Sequence, residues 1–180
     1  MAAIDTAMVE VCVGEPEGDF VDLFSEYRLK AFHYALQMVG NPDDAMDVTQ
    51  DAFLKLHRHW HRRDPDRAFA PWMYAVVRNV AIDLLRKRSV HRETGLDSAA
   101  AERSSVPSPE LEASRGELKA QLWREIRRLP DLQREALLLR DWHGLSYTEI
   151  AEATGANVTT INSRLHDARA RLRERMRRQL

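Results

Sequence analysis

A single cysteine, Cys12, stands in 180 residues, which excludes an internal disulfide and a cysteine-cluster metal site. No apolar run reaches the 18 residues of a membrane span, and the N-terminus carries Asp5, Glu10, Glu15 and Glu17 where a signal peptide would be basic. A cytoplasmic protein with no membrane insertion of its own is expected, Cys12 lying in a flexible leader. Strand signals are missing too, because period-2 alternation never persists. Glycine is scarce, seven in all, and none forms a phosphate-cradling loop. Paired carboxylates in an apolar setting are absent, so the chain is read as a non-enzyme with no cofactor. "HRHWHRR" tempts a metal reading, but on a helix His57 and His61 share a face that His59 does not. No glutamate follows His57 as a hydrolytic metal motif would require.

What is present is helical. Apolar residues recur at spacings of three and four almost everywhere outside residues 89–116, which predicts an all-α protein of two small helical domains joined by a flexible linker. Helices are expected near 19–39, 42–60 and 70–88, then near 110–128, 131–142, 147–154 and 158–178. The implied division is an acidic leader (1–18), a first domain (19–92), a linker (93–116) and a second domain (117–180). Asn41 can cap the second helix, with Pro42 at its first position and Asp43 and Asp44 facing the positive end of its dipole. "DSAAAERSSVPSP" has little to bury and ends in two prolines, as a linker would. Extended, its thirteen residues span roughly 40 Å.

The net charge of −1 hides an asymmetry. Residues 1–51 hold eleven acids against Arg28 and Lys30, a balance of −9, whereas residues 164–178 hold seven arginines against Asp167 and Glu174, a balance of +5. Two different partners are implied, one of them polyanionic. In the basic half, Ser146 and Glu149 have the spacing of a capping box. Gly155 tolerates positive φ, and Asn157 can cap a second helix after a short turn, which is helix-turn-helix spacing. On that second helix Val158, Ile161, Leu165, Ala168, Leu172 and Met176 form an apolar stripe. The remaining faces carry Thr159, Thr160, Asn162, Ser163, Arg164, His166, Asp167 and Arg169, short donors and cations suited to base edges and phosphates. If about four C-terminal arginines meet phosphates, the isolated second domain should bind DNA with a log-log salt slope of roughly −3 to −4.

In "WMYAVVRNVAIDLLRKR" the residues Met73, Val76, Val77, Val80 and Leu84 form a stripe, while Arg78, Asn79, Arg86 and Lys87 project elsewhere. Before it, "HRRDPDRAFAP" is a proline-punctuated loop holding Arg63 and Phe69 and leading into Trp72 and Tyr74. Aromatic rings beside cations suit the stacking of unpaired bases.

The runs "NPDDAMDVTQDAFLKLHRHW", "FAPWMYAVVRNVAIDLLRKR" and "LPDLQREALLLRDWHGLSYTEIAEATG…TTINSRLHDARARLR" together resemble the extracytoplasmic-function sigma factors of bacterial RNA polymerase, over about residues 19–88 and 117–175. The resemblance implies a promoter-specificity subunit. Its region 2 would dock Asp47, Gln50, Asp51 and Phe53 on the clamp helices of the polymerase β′ subunit. It would open the −10 element with Arg63, Phe69, Trp72, Arg78, Asn79, Arg86 and Lys87, a flipped base lying between Arg63 and Phe69. Region 4 would read the −35 element through the helix-turn-helix, with its first helices, around Leu129, Leu137 and Leu138, on the β flap. The linker would thread toward the active-site cleft and RNA exit path. Since Leu180 closely follows the recognition helix, no sensory domain is expected, and regulation would fall to an inhibitory anti-sigma partner.

The family often has Lys or Arg where Asn162 stands and Arg where Asp167 stands. An altered −35 preference at one base pair, or weaker dependence on that element, is therefore expected. Two other readings compete: a helix-turn-helix regulator acting alone, and an interaction protein whose basic helix meets an acidic partner. A simple repressor has no use for an acidic docking helix and a loop for unpaired bases.

Overall fold

The computed structural model describes residues 18–93 and 116–177. Residues 1–17 with Cys12, residues 94–115 of the expected linker, and Arg178 lie outside the described residues. The chain divides into two compact units, residues 1–106 and 107–180, and no strand occurs among the described residues.

The first unit is built from α1 (Gly18–Val39), α2 (Pro42–Arg58), a 3₁₀ turn (Trp60–Arg62) and α3 (Phe69–Glu93). Local chemistry sets the α1–α2 corner. Gly40 takes φ 78°, and the Asn41 side chain accepts from the backbone N–H of Asp43 at 2.8 Å and of Asp44 at 3.4 Å. Each helix packs on the other two. Phe20, Tyr34, Val48, Leu56, Met73 and Tyr74 are fully buried among them. Asp44 does more than face a helix dipole: its carboxylate, nearly buried, pairs bidentately with Arg88 and ties the start of α2 to the distal half of α3.

The second unit holds α4 (Gly116–Arg127), α5 (Asp131–Leu137), a π-turn (Leu138–Trp142), α6 (Tyr147–Thr154) and α7 (Val158–Arg177). Ile126, Leu129, Leu137, Leu139, Leu145, Ile150, Ile161, Leu165 and Ala168 form its core. Glu125, 2% exposed, sits at the edge of that core. It accepts from Arg128 at 2.6 Å and lies 3.6 Å from Arg175, so a buried carboxylate ties α4 to the last turns of α7.

Three expectations need correction. The helix expected over 42–60 ends at Arg58, and the chain tightens into the 3₁₀ turn. The helix expected to stop at 88 runs on to Glu93, through residues 89–93, where no proline or glycine breaks the helix although the apolar periodicity has ended. Val158, expected in the apolar stripe, is 42% exposed because it opens α7, beyond the reach of the helices that cover Ile161 and Leu165.

Candidate nucleic-acid interface

The helix-turn-helix is built by side chains closing their own backbone. Ser146 Oγ accepts from the Glu149 N–H at 3.2 Å, and the Glu149 carboxylate accepts from the Ser146 N–H at 2.7 Å. Gly155 ends α6 at φ 69°, and the Asn157 side chain accepts from the Thr160 N–H at 2.7 Å to start α7. Hydrogen bonds from the Ser146 side chain and backbone hold the Glu149 carboxyl below its ordinary value of 4.5. A depressed folded value means that this contribution is present above the unfolded value and is lost as pH falls through the folded one. Ser146→Ala is expected to cost the second unit about 1 kcal/mol at neutral pH and to flatten its acid-side stability profile. Thermal melts between neutral and acidic pH check both.

Opposite the buried Ile161, Leu165 and Ala168, the residues Thr159, Asn162, Ser163, His166 and Asp167 are exposed on α7. Thr160 and Arg164 are half-buried at its flanks. Arg169 is engaged: its guanidinium donates to Asp141 at 2.7 Å. Of the other C-terminal arginines, Arg175 lies against Glu125 at 3.6 Å and Arg177 against Glu174 at 2.8 Å. Arg164, Arg171 and Arg173 have no ion pair among the described residues. These three arginines of the described residues alone would give a salt slope of about −3 for duplex binding.

In the first unit, aromatic residues converge at the loop between α2 and α3. Trp60, half-buried, stacks on Trp72 with centroids 6.5 Å apart and planes 26° apart. The Arg63 guanidinium lies 5.1 Å over the Trp60 ring, and its Nε is buried with no hydrogen-bond partner among the described residues. Phe69 is a correction. At 5% exposure it is the floor of this cluster, meeting Tyr27 at 5.3 Å, Trp72 at 5.9 Å and Trp60 at 6.2 Å edge to face, and no base can stack on it. Trp60 is the residue that sequence reasoning missed; its signal was an aromatic beside Arg62 and Arg63 at a helix end. Along α3, Asn79, Arg86 and Lys87 are exposed and Arg78 is half-buried. The histidines of the same stretch do not gather: His57 packs 5.1 Å from Phe20, while His59 Nδ1 bonds the Lys55 carbonyl at 2.8 Å.

On α2, Asp47, Gln50 and Asp51 are exposed with Asp43 and Leu54 on one side of the helix. Phe53 is not with them. Its ring is 1% exposed and meets Phe24 at 4.8 Å and Phe20 at 6.5 Å, so it holds the core and offers nothing to a partner. Leu129, Leu137 and Leu138 are buried; among the described residues of the second unit the exposed large apolar side chains are Leu122, Leu132, Trp142 and Val158.

The family models described as Sigma-70 region 2 and Sigma-70, region 4 match residues 23–90 and 119–172. The chain is 29% identical over 166 residues to the ECF RNA polymerase sigma factor SigW of Bacillus subtilis, covering 88% of this chain and 89% of that protein. With the RNA polymerase sigma-H factor of Pseudomonas aeruginosa it shares 32% over 156 residues, 82% of this chain and 80% of that one. Among solved structures, the sigma factor RpoE of Bartonella quintana in complex with the anti-sigma factor NepR matches at TM-score 0.72 and 28% identity, covering 88% of this chain and 97% of that chain.

Proposed function

We propose that this chain, which belongs to the extracytoplasmic-function sigma factors of the sigma-70 family and directs promoter-specific transcription by RNA polymerase, divides the reading of a promoter between its two units. The polymerase does the bond chemistry, in the cytoplasm, and the chain itself is not an enzyme.

The exposed carboxylates Asp47 and Asp51, with Gln50 between them, dock on the β′ clamp helices. The exposed Leu122 of α4 and Leu132 of α5 meet the β flap, on the first helices of the second unit, around the buried Leu129, Leu137 and Leu138. In the first unit, Trp60, Trp72 and Arg63 receive a base unstacked from the −10 element, while Arg78, Asn79, Arg86 and Lys87 follow its backbone. Extruding a base costs a few kcal/mol, and stacking on an aromatic returns roughly 1–3 kcal/mol per base, so the cluster is of the right size to hold an opened strand. In the second unit Thr159, Asn162, Ser163, His166 and Asp167 face the −35 major groove, with Thr160 and Arg164 at its edges. An anti-sigma partner, of the kind bound to the Bartonella quintana sigma factor, would compete for these surfaces.

The observation that carries this reading is one chain holding both a capped helix-turn-helix with a polar exposed face and, in its other unit, an aromatic–arginine cluster beside an acidic helix face. A regulator of duplex DNA alone needs only the first. Transcription in vitro with core polymerase over genomic fragments, with start sites mapped, is expected to yield a small set of shared −35 and −10 sequences. Absence of chain-dependent starts on every fragment would overturn the proposal.

Asp167 should set one position of the −35 sequence, since a carboxylate accepts from cytosine N4 and repels phosphate. With a randomised −35 library, Asp167→Arg is expected to shift preference at a single base pair by about 1–3 kcal/mol. Identical profiles for both proteins would remove Asp167 from the groove.

A further inference from the structure

Between α5 and α6 the backbone departs from α-helix: the His143 N–H bonds the Leu138 carbonyl at 3.0 Å and the Leu145 N–H bonds that of Leu139 at 3.0 Å. Such an insertion turns the side chains that follow it and recurs at functional sites. Here it presents Asp141 to α7. Asp141 accepts from Arg169 through Nη2 at 2.7 Å and through Nε at 3.4 Å. Its neighbour Arg140 donates to the Leu145 carbonyl at 2.8 Å and lies 5.3 Å over the Tyr147 ring, which fixes the turn to the start of α6. Donating to Asp141, with a further hydrogen bond to Tyr147, raises Arg169 above its ordinary value.

Arg169 follows the buried Leu165 by four residues and the exposed Asn162 by seven, so it stands where the buried stripe of α7 meets its polar face. A lone arginine at that edge would be a phosphate contact. Paired with Asp141 it is electrically neutral, and the parallel donors of its fork, which would grip a phosphate, are already committed to a carboxylate.

We propose that Asp141 is a positioning residue for reading the −35 duplex: it holds Arg169 as a neutral brace between the π-turn and α7, aiming that helix and withholding one cation from the phosphate backbone. The inference rests on α7 being the groove helix. Its consequence is weaker binding to non-cognate DNA, and sharper discrimination, than the arginine content of α7 implies.

The test measures binding of the full-length chain by fluorescence anisotropy across a range of KCl concentrations. One duplex carries the −35 segment of a mapped promoter and the other a scrambled sequence. Asp141→Asn keeps the shape and frees Arg169; it is expected to tighten binding to the scrambled duplex and to steepen the salt slope by about 0.9. Asp141→Ser, which also removes the carboxylate, should do the same if Asp141→Asn folds poorly. Arg169→Ala is expected to leave the slope unchanged and to lower the ratio of promoter to scrambled affinity by about two- to fivefold, the size of one exposed ion pair. Asp141→Glu should retain the wild-type ratio. A slope made shallower by about 0.9 in Arg169→Ala, with no change in Asp141→Asn, would show Arg169 to be an ordinary phosphate contact and overturn the proposal. Failure to bind either duplex, with no promoter-directed initiation, would instead overturn the groove reading and the proposal with it.

Discussion

Replacing both Asp47 and Asp51 by arginine will weaken assembly with core RNA polymerase by about 30- to 1000-fold while leaving the melting of the free chain almost unchanged. Both carboxylates are exposed, and neither has an ion pair among the described residues. Their replacement removes no contact from the core, and such surface changes usually fall within about 0.5 kcal/mol of neutral. The docking cost arises because each reversal loses an attraction and adds a repulsion, about 1–2 kcal/mol per site at an exposed interface. Titration of labelled core polymerase checks the number. The defect should shrink as salt rises, since it is screened over about 10 Å at 0.1 M. Asp47→Asn with Asp51→Asn, which removes attraction without repulsion, should fall between the reversal and the wild type. Unchanged affinity for the double reversal would remove α2 from the docking surface. Phe53 cannot serve in this experiment, because truncating a ring that holds the core lowers assembly through unfolding.

Features closed within a few residues were legible in the sequence. Asn41 and Ser146 cap helices through bonds to backbone two or three positions away, so their spacing in the chain is the geometry itself. Long-range pairs were not. Asp44 with Arg88, Glu125 with Arg175 and Asp141 with Arg169 join residues tens of positions apart, and each arginine taken alone reads as solvated or as a DNA contact. Three of the cations that make the chain look like a DNA binder are therefore parts of its scaffold.

The aromatic misses have a different cause, the width of the buried stripe. Val48, Ala52 and Leu56 mark one line on α2, but α1 and α3 both cover that helix, so Ala45, Thr49 and Phe53 are buried as well. A helix roofed by two neighbours hides more than the narrow stripe its spacing suggests. Periodicity also names a face without saying how far a neighbour extends along it, which is why Val158 begins α7 in the open. The π-turn left no mark at all in "LLLRDW", because the inserted residue obeys the same composition as the helix around it.

Phe69 and Trp60 turn that distinction into the second large effect. Phe69→Ala is expected to destabilise the first unit by about 3–5 kcal/mol, the cost of emptying a ring-sized space in a core. A unit of that size has a total stability near the low end of about 5–15 kcal/mol, so much of the chain would be unfolded at growth temperature. Transcription and the thermal transition should then fall together, and a premelted promoter should not restore activity. Trp60→Ala differs because the ring is half-exposed at the mouth of the cluster and under the Arg63 guanidinium. There the fold should persist and polymerase assembly should be near normal, while strand opening, read by permanganate reactivity of unpaired thymines, drops by about 5- to 150-fold, one stacked base's worth. A promoter already open over the −10 element should recover most of that loss, since melting no longer has to be offset by stacking. Trp60→Phe keeps a π-face and is expected to retain partial opening. Phe69→Leu keeps the fill of the core and should open promoters as the wild type does; if it melts normally yet fails to open them, the Phe69 ring itself meets the base and the assignment of Trp60 is wrong.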